Sequence, residues 1–216
     1  MNNFVKLAGA SVIALVASVA QAIPVVSLSA LGDTATSVAG ATTIDFNNGC
    51  GYATCSGDFD IVLGSASGLY AQPAGTDTKY LTVPNPQSSG SATFTLGTTA
   101  DYFGLYWGSI DAYNSISFFL GGDLISNYSG TDLVGQFANG NQVEYSSNRY
   151  INFNFGTEKY DTVKLTSNGF AFESDNHAFR NLVPTTTSVS EPSTLLLIFG
   201  GLLSLFGVRM RNRAAR

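Results

Sequence analysis

Alternation of apolar and polar residues constrains this chain more than any other feature. In Tyr150-Ile151-Asn152-Phe153-Asn154-Phe155 the odd positions are apolar, and Asn152 and Asn154 face the other way. Val163 and Leu165 alternate with Thr162, Lys164 and Thr166. Ile116, Phe118 and Leu120 alternate less cleanly with Ser115, Ser117 and Phe119, and Phe170 and Phe172 share one side. A period of two is that of a strand with one face buried and the other wetted, as in antiparallel sheets. Further strands are expected at 42–46, 59–63, 80–83, 92–96 and 102–107. Between them, Asn48-Gly49, Gly121-Gly122-Asp123, Asn139-Gly140-Asn141 and Asn168-Gly169 supply residues that tolerate a positive φ. No 12-residue window between 23 and 190 has helical period, and no segment repeats. Roughly nine to eleven short strands over this length point to an all-β fold, an antiparallel two-sheet sandwich of jelly-roll type.

Composition removes several classes of function. Charged residues make up 12% of the 216, about half the usual share, while hydrophobic residues make up 44%. A disordered polyelectrolyte is thereby excluded. Residues 23–190 hold five bases and fourteen acids, a formal charge of −9, so no nucleic-acid partner is expected. One histidine and two cysteines leave little from which to build a zinc site.

Both ends read as address labels. Residues 1–22 have the form of a signal peptide: a short basic start through Lys6, an apolar stretch, and Ala20-Gln21-Ala22 as the small-residue cleavage site. An exported domain is expected over 23–182 and a polar linker over 183–190. Residues 193–208 are then 16 uncharged, mostly apolar positions, followed by a basic stretch over 209–216. As a helix that run is about 24 Å long. It crosses a bilayer with local thinning or with snorkelling of the arginines behind it. These arginines keep the tail cytoplasmic.

Glu191-Pro192, the apolar run and Arg209, Arg211 and Arg213 together resemble the PEP-CTERM sorting signal, with Ser190 standing where that signal has its first proline. The resemblance covers residues 191–216. It implies recognition by an exosortase, transient anchoring in the cytoplasmic membrane, and release to the cell surface or extracellular matrix. Exopolysaccharide or biofilm would be the setting. A second stretch is similar to the exported domains of such proteins: Tyr102-Phe103-Gly104, Trp107-Gly108-Ser109, Asp111, Tyr113-Asn114 and, later, Phe172-Glu173-Ser174-Asp175-Asn176. That likeness implies a jelly-roll surface domain and brings no catalytic residues with it.

Within the exported domain, Cys50 and Cys55 are expected to form a structural disulfide, the default for close cysteines in an oxidising compartment. On a strand, Phe103, Leu105 and Trp107 share one face, and Tyr102, Gly104 and Tyr106 the other. Two tyrosines beside a glycine offer flat rings for a sugar, with Trp107, Asp111 and Asn114 as further candidate contacts; ordinary cross-strand packing is the competing explanation. Asp58, Asp60 and Asp175 are weak calcium candidates, weighed against solvated turn acids. No other cofactor is expected. His177, the chain's one imidazole, reads as a bystander, since no nucleophile elbow accompanies it. Three readings follow: a non-enzymatic exported surface or matrix protein, a carbohydrate-binding module of the envelope and, behind both, a secreted hydrolase.

Overall fold

The computed structural model describes residues 23–181. The signal peptide with Ala20 and Ala22, the sorting residues Ser190, Glu191 and Pro192, the expected span at 193–208, and Arg209, Arg211 and Arg213 lie outside these residues. Within them, no helix is long and apolar enough to cross a membrane.

Among the described residues there are twelve strands. They are β1 (Val25–Leu28), β2 (Thr42–Ile44), β3 (Thr54–Gly57), β4 (Asp60–Val62), β5 (Tyr80–Val83) and β6 (Gly90–Ala100). The chain continues with β7 (Tyr102–Gly108), β8 (Asn114–Leu120), β9 (Asp123–Ser129), β10 (Arg149–Asn154), β11 (Tyr160–Ser167) and β12 (Phe172–Arg180). One sheet runs in the order β1-β10-β7-β12-β5-β4, with β2 on the same edge of β12 as β5. The other runs β3-β6-β11-β8-β9. Every pairing is antiparallel.

The alternation translates directly into the core. Phe103, Leu105, Trp107, Ile151, Phe153, Leu81 and Val83 from the first sheet meet Ala92, Phe94, Ile116, Phe118, Val163 and Leu165 from the second. Phe103 and Phe118 approach edge-on at 5.5 Å between centroids, and Trp107 stacks on Phe172 at 3.9 Å. Each such side chain contributes about 1.5–3 kcal/mol by leaving water.

Three strands lie outside the expected set, and each has a local reason. Strand β9 (DLISNYS) does not alternate and forms a sheet edge. It is joined to β8 by Gly121-Gly122, whose φ values of 59° and 96° match a two-residue turn that needs both positive. Strands β1 and β3 are four-residue edges. A five-residue helix α1 (Gly130–Val134) follows β9, too short to show a period. It is started by a reciprocal cap in which Ser129 Oγ accepts from Asp132 N and Asp132 Oδ2 accepts from Ser129 N.

The expected disulfide is present between Cys50 and Cys55. Its loop lays Tyr52 against Phe94 and places the Tyr52 hydroxyl 2.7 Å from His177 Nδ1.

One irregularity in β12 matters for function. Between Asp175 and Ala178 this strand carries one residue more than β7 opposite it, and Asn176 adopts φ 48°. A bulge reverses which parity faces inward. Phe172 and Ser174 face the core before it, His177 and Phe179 after it. Glu173, Asp175 and Arg180 consequently share the outer face.

Candidate functional site

The outer face of the larger sheet is roofed rather than open. Loop residues 29–38 and 64–79 lie over it. Tyr102 donates to Asn152 Oδ1 at 2.7 Å and shares a hydrogen bond with Thr36 Oγ1 at 2.6 Å; Tyr106 donates to the Ala74 carbonyl at 2.6 Å. Both tyrosines are buried, at 1% and 0% exposure. Burial raises their phenols above the ordinary tyrosine range. The space beside Gly104 is filled, because a Cβ there would press on the hydroxyls of Tyr102 and Tyr150. Trp107 points the other way, into the core. The open platform expected of Tyr102 and Tyr106 is therefore corrected, since that face of β7 is covered by loops whose packing no local pattern announces, and Trp107, a further candidate contact, lies in the core.

What the loops leave open is a cleft at one end of this face. Its walls are residues 65–71, Phe170, Ala171 and Glu173 together with Gln142, around a volume of about 480 Å³. The first wall is a tight turn: Ala66 and Tyr70 exchange backbone hydrogen bonds, and Gly68 at the tip has φ 74°. Leu69, Tyr70 and Phe170 give the cleft apolar surface, and Ser65, Ser67 and Gln142 give it polar groups. Among the described residues, neither Ser67 nor Gln142 has a side-chain hydrogen-bond partner in the protein, so both remain open to a ligand.

Glu173 forms the floor. It is 3% exposed, yet both carboxyl oxygens are held: Oε1 accepts from Ala71 N at 2.9 Å, and Oε2 from Ser109 Oγ at 2.7 Å. Desolvation pushes its pKa up to about 7, against the opposing effect of these hydrogen bonds. Ser109 reaches it from the end of β7 with φ 38°, a left-handed conformation uncommon outside glycine. The Ser109 amide donates to Asn148 Oδ1, which also accepts from Ala74 N. Asn148 Nδ2 in turn donates to the carbonyls of Asn141 and Glu144. One buried asparagine thus fastens the 71–74 and 141–144 segments to the sheet.

The stretch resembling exported surface domains builds the scaffold around this cleft. Tyr113 donates to the Phe170 carbonyl at 2.7 Å and Asn114 Nδ2 to the Ala171 carbonyl at 2.9 Å, fixing the 170–171 wall. Asp111 bridges to Asn139, and its carboxyl, partly desolvated, has a raised pKa. Asp111 and Asn114 thus stand behind the cleft wall, outside the lining itself. Of the residues expected to contact a ligand, none lines this cleft. Glu173 does, and it belonged only to the closing-strand pattern. Ser65, Ser67 and Gln142 carry no sequence signal beyond their position in unpatterned loops.

The calcium candidates do not converge. Asp60 Oδ2 accepts from Asn85 Nδ2, whereas Asp175 is buried on the outer face with Thr78 donating to its Oδ2. No group of three or more possible metal ligands occurs among the described residues, Asp58 included. His177 is fully buried between the sheets, with Nε2 2.8 Å from Ser174 Oγ and with Phe46 and Phe103 edge-on around it. Desolvation lowers its pKa to about 3, so it is neutral inside the core.

No protein-family model matches this chain, and no curated protein matches it. Among solved structures it is similar to a family 6 carbohydrate-binding module studied for its binding sub-sites, with 14% identity and a TM-score of 0.35. That match covers 65% of this chain and 94% of the module. It is also similar to CpGH89CBM32-6 produced by Clostridium perfringens, with 15% identity and a TM-score of 0.32 over 58% of this chain and 94% of that one.

Proposed function

We propose that this protein is an exported, non-catalytic surface or matrix protein that binds carbohydrate in the cleft floored by Glu173. The cleft itself is the observation that carries the reading. Its volume of about 480 Å³ falls in the range of small-ligand sites, which span about 300–1,000 Å³. Tyr70 and Phe170 supply apolar surface for the C–H face of a sugar ring, while Ser67 and Gln142 supply uncommitted groups for its hydroxyls. The Asn148 and Asn114 networks hold the walls in place, so little ordering cost falls on binding.

The export half of the proposal rests on the termini: a signal peptide over 1–22, and a sorting signal over 191–216 processed by an exosortase after transient membrane anchoring. The disulfide supports an oxidising compartment. Exopolysaccharide of the producing cell is then the natural partner.

A buried carboxyl near neutrality in a cleft is also what a glycosidase acid requires. Hydrolysis needs a second carboxylate facing the same space, and Glu173 is the one carboxyl lining this cleft among the described residues.

The test is binding of the purified protein to the exopolysaccharide of the cells that export it, with Gln142→Ala and Phe170→Ala alongside. The reading expects each substitution to weaken binding by about tenfold. Absent binding, or affinity unchanged in both variants, would reject the cleft. Mass spectrometry of the mature protein tests the sorting half: termini at Ile23 and upstream of Ser193 are expected, and an end at Arg216 would contradict processing.

A further inference from the structure

A second cleft lies on the same outer face, six residues further along β7 and so about 20 Å from the first. Register builds it. Asn154 of β10 pairs with Tyr102 of β7, and Tyr102 with Arg180 of β12, giving one cross-strand row; Ser27 and Asn152 form the row beside it. Residues 37–38 close one side around about 300 Å³. Arg180 reaches this row only because the bulge at Asn176 turns it outward.

Among the described residues Arg180 is the one charged side chain lining this cleft, in a domain of net negative charge. Its Nε donates to Asp101 Oδ1 at 3.1 Å, and its guanidinium carbon sits 5.7 Å from the centroid of the Tyr102 ring. These contacts orient the fork while its terminal nitrogens carry no protein hydrogen bond among the described residues. Asp101 also holds Lys159 at 3.1 Å. Beside the fork, Asn154 Oδ1 accepts from Gly156 N, which leaves Nδ2 as a donor without a protein acceptor among the described residues. Asn152, in the neighbouring row, is held rigid: its Oδ1 accepts from Tyr102, and its Nδ2 donates to Ser29 Oγ.

We infer that this cleft is a binding site for a carboxylate-bearing sugar, a uronic-acid unit, held by Arg180 and Asn154. A planar guanidinium fork matches a planar carboxylate in two parallel hydrogen bonds, which a point charge does not. Ser27, Ser37 and the Asn154 amide provide the hydroxyl-bonding surface of a pyranose. The site stands apart from the Glu173 cleft and does not depend on it.

Calorimetric titration of the purified protein with trigalacturonate, a neutral galactan trisaccharide and a sulfated disaccharide tests this. Trigalacturonate is expected to bind at least about tenfold more tightly than either alternative. Arg180→Lys keeps the charge, loses the fork and should lose about tenfold; Asn154→Ala, at an exposed position remote from the core, should lose about threefold. The Glu173 cleft is read by exopolysaccharide binding in Gln142→Ala and Phe170→Ala, and this cleft by the uronate preference and its loss in Arg180→Lys and Asn154→Ala, so failure of one is separable from failure of the other. Should Arg180→Lys melt below the wild type, Asn154→Ala decides alone. Absence of uronate binding, equal affinity for the neutral sugar, tighter binding of the sulfated one, or full affinity in Asn154→Ala would overturn the inference.

Discussion

His177 and Glu173 sit four residues apart on β12, on opposite faces of one strand, and both are buried. Each is pushed toward its neutral form by desolvation, the histidine down to about 3 and the glutamate up to about 7. The surroundings differ. His177 is enclosed by Phe46, Phe94, Phe103 and Tyr52, between sheets that close completely. Glu173 is covered by loops that stop short of sealing it. A perturbed acid or base is therefore a candidate functional group here only where a cleft reaches it; the same physics inside the sandwich yields a structural group.

The contrast makes graded predictions. Trp107→Ala, on the inner face, should cost about 3–5 kcal/mol in denaturant unfolding, because it removes the ring stacked on Phe172 and leaves a cavity. Cleft variants on the outer face, such as Gln142→Ala, should stay within about 0.5 kcal/mol of wild type. Opening the disulfide with Cys50→Ser and Cys55→Ser should cost about 2 kcal/mol in the chain-entropy account, since the closed loop is short.

The pH effects of the two groups are opposite in sign. The folded pKa of His177 lies below its unfolded value of 6.5, so its share of stability is complete above pH 6.5 and is lost as pH falls toward 3. The folded pKa of Glu173 lies above 4.5, so its share is complete below pH 4.5 and is lost as pH rises through about 7. Asp175, raised to about 6, acts in the same direction as Glu173. Urea midpoints measured against pH should therefore lose part of their acid-side fall in His177→Gln and part of their fall between pH 4.5 and 7 in Glu173→Gln. Unchanged profiles would mean that neither group is as dry as its packing implies.

The inner face was legible because alternation at Ile151 and Phe153, or at Val163 and Leu165, reports directly on which side is apolar. Edge strands such as β9 were not, since a solvated edge needs no pattern. Tyr102 and Tyr106 show the larger gap. Local sequence places them opposite the core, but whether that side is wet depends on loops 29–38 and 64–79, rich in Gly, Ser, Ala and Thr and without periodicity. The β12 bulge is equally silent, and it decides that Arg180 shares a face with Glu173. Glu173 itself was visible within a recurring stretch; its role needed the Ala71 amide and the Ser109 hydroxyl, which arrive from distant parts of the chain.

The most direct test of the central claim is an NMR titration of the purified protein with oligosaccharides of the exporting cell's polysaccharide. Backbone amide shifts concentrated at residues 65–71, 142 and 170–173 are the expected result. Shifts confined to other surfaces, or none at saturating sugar, would contradict the assignment of the Glu173 cleft as a carbohydrate site.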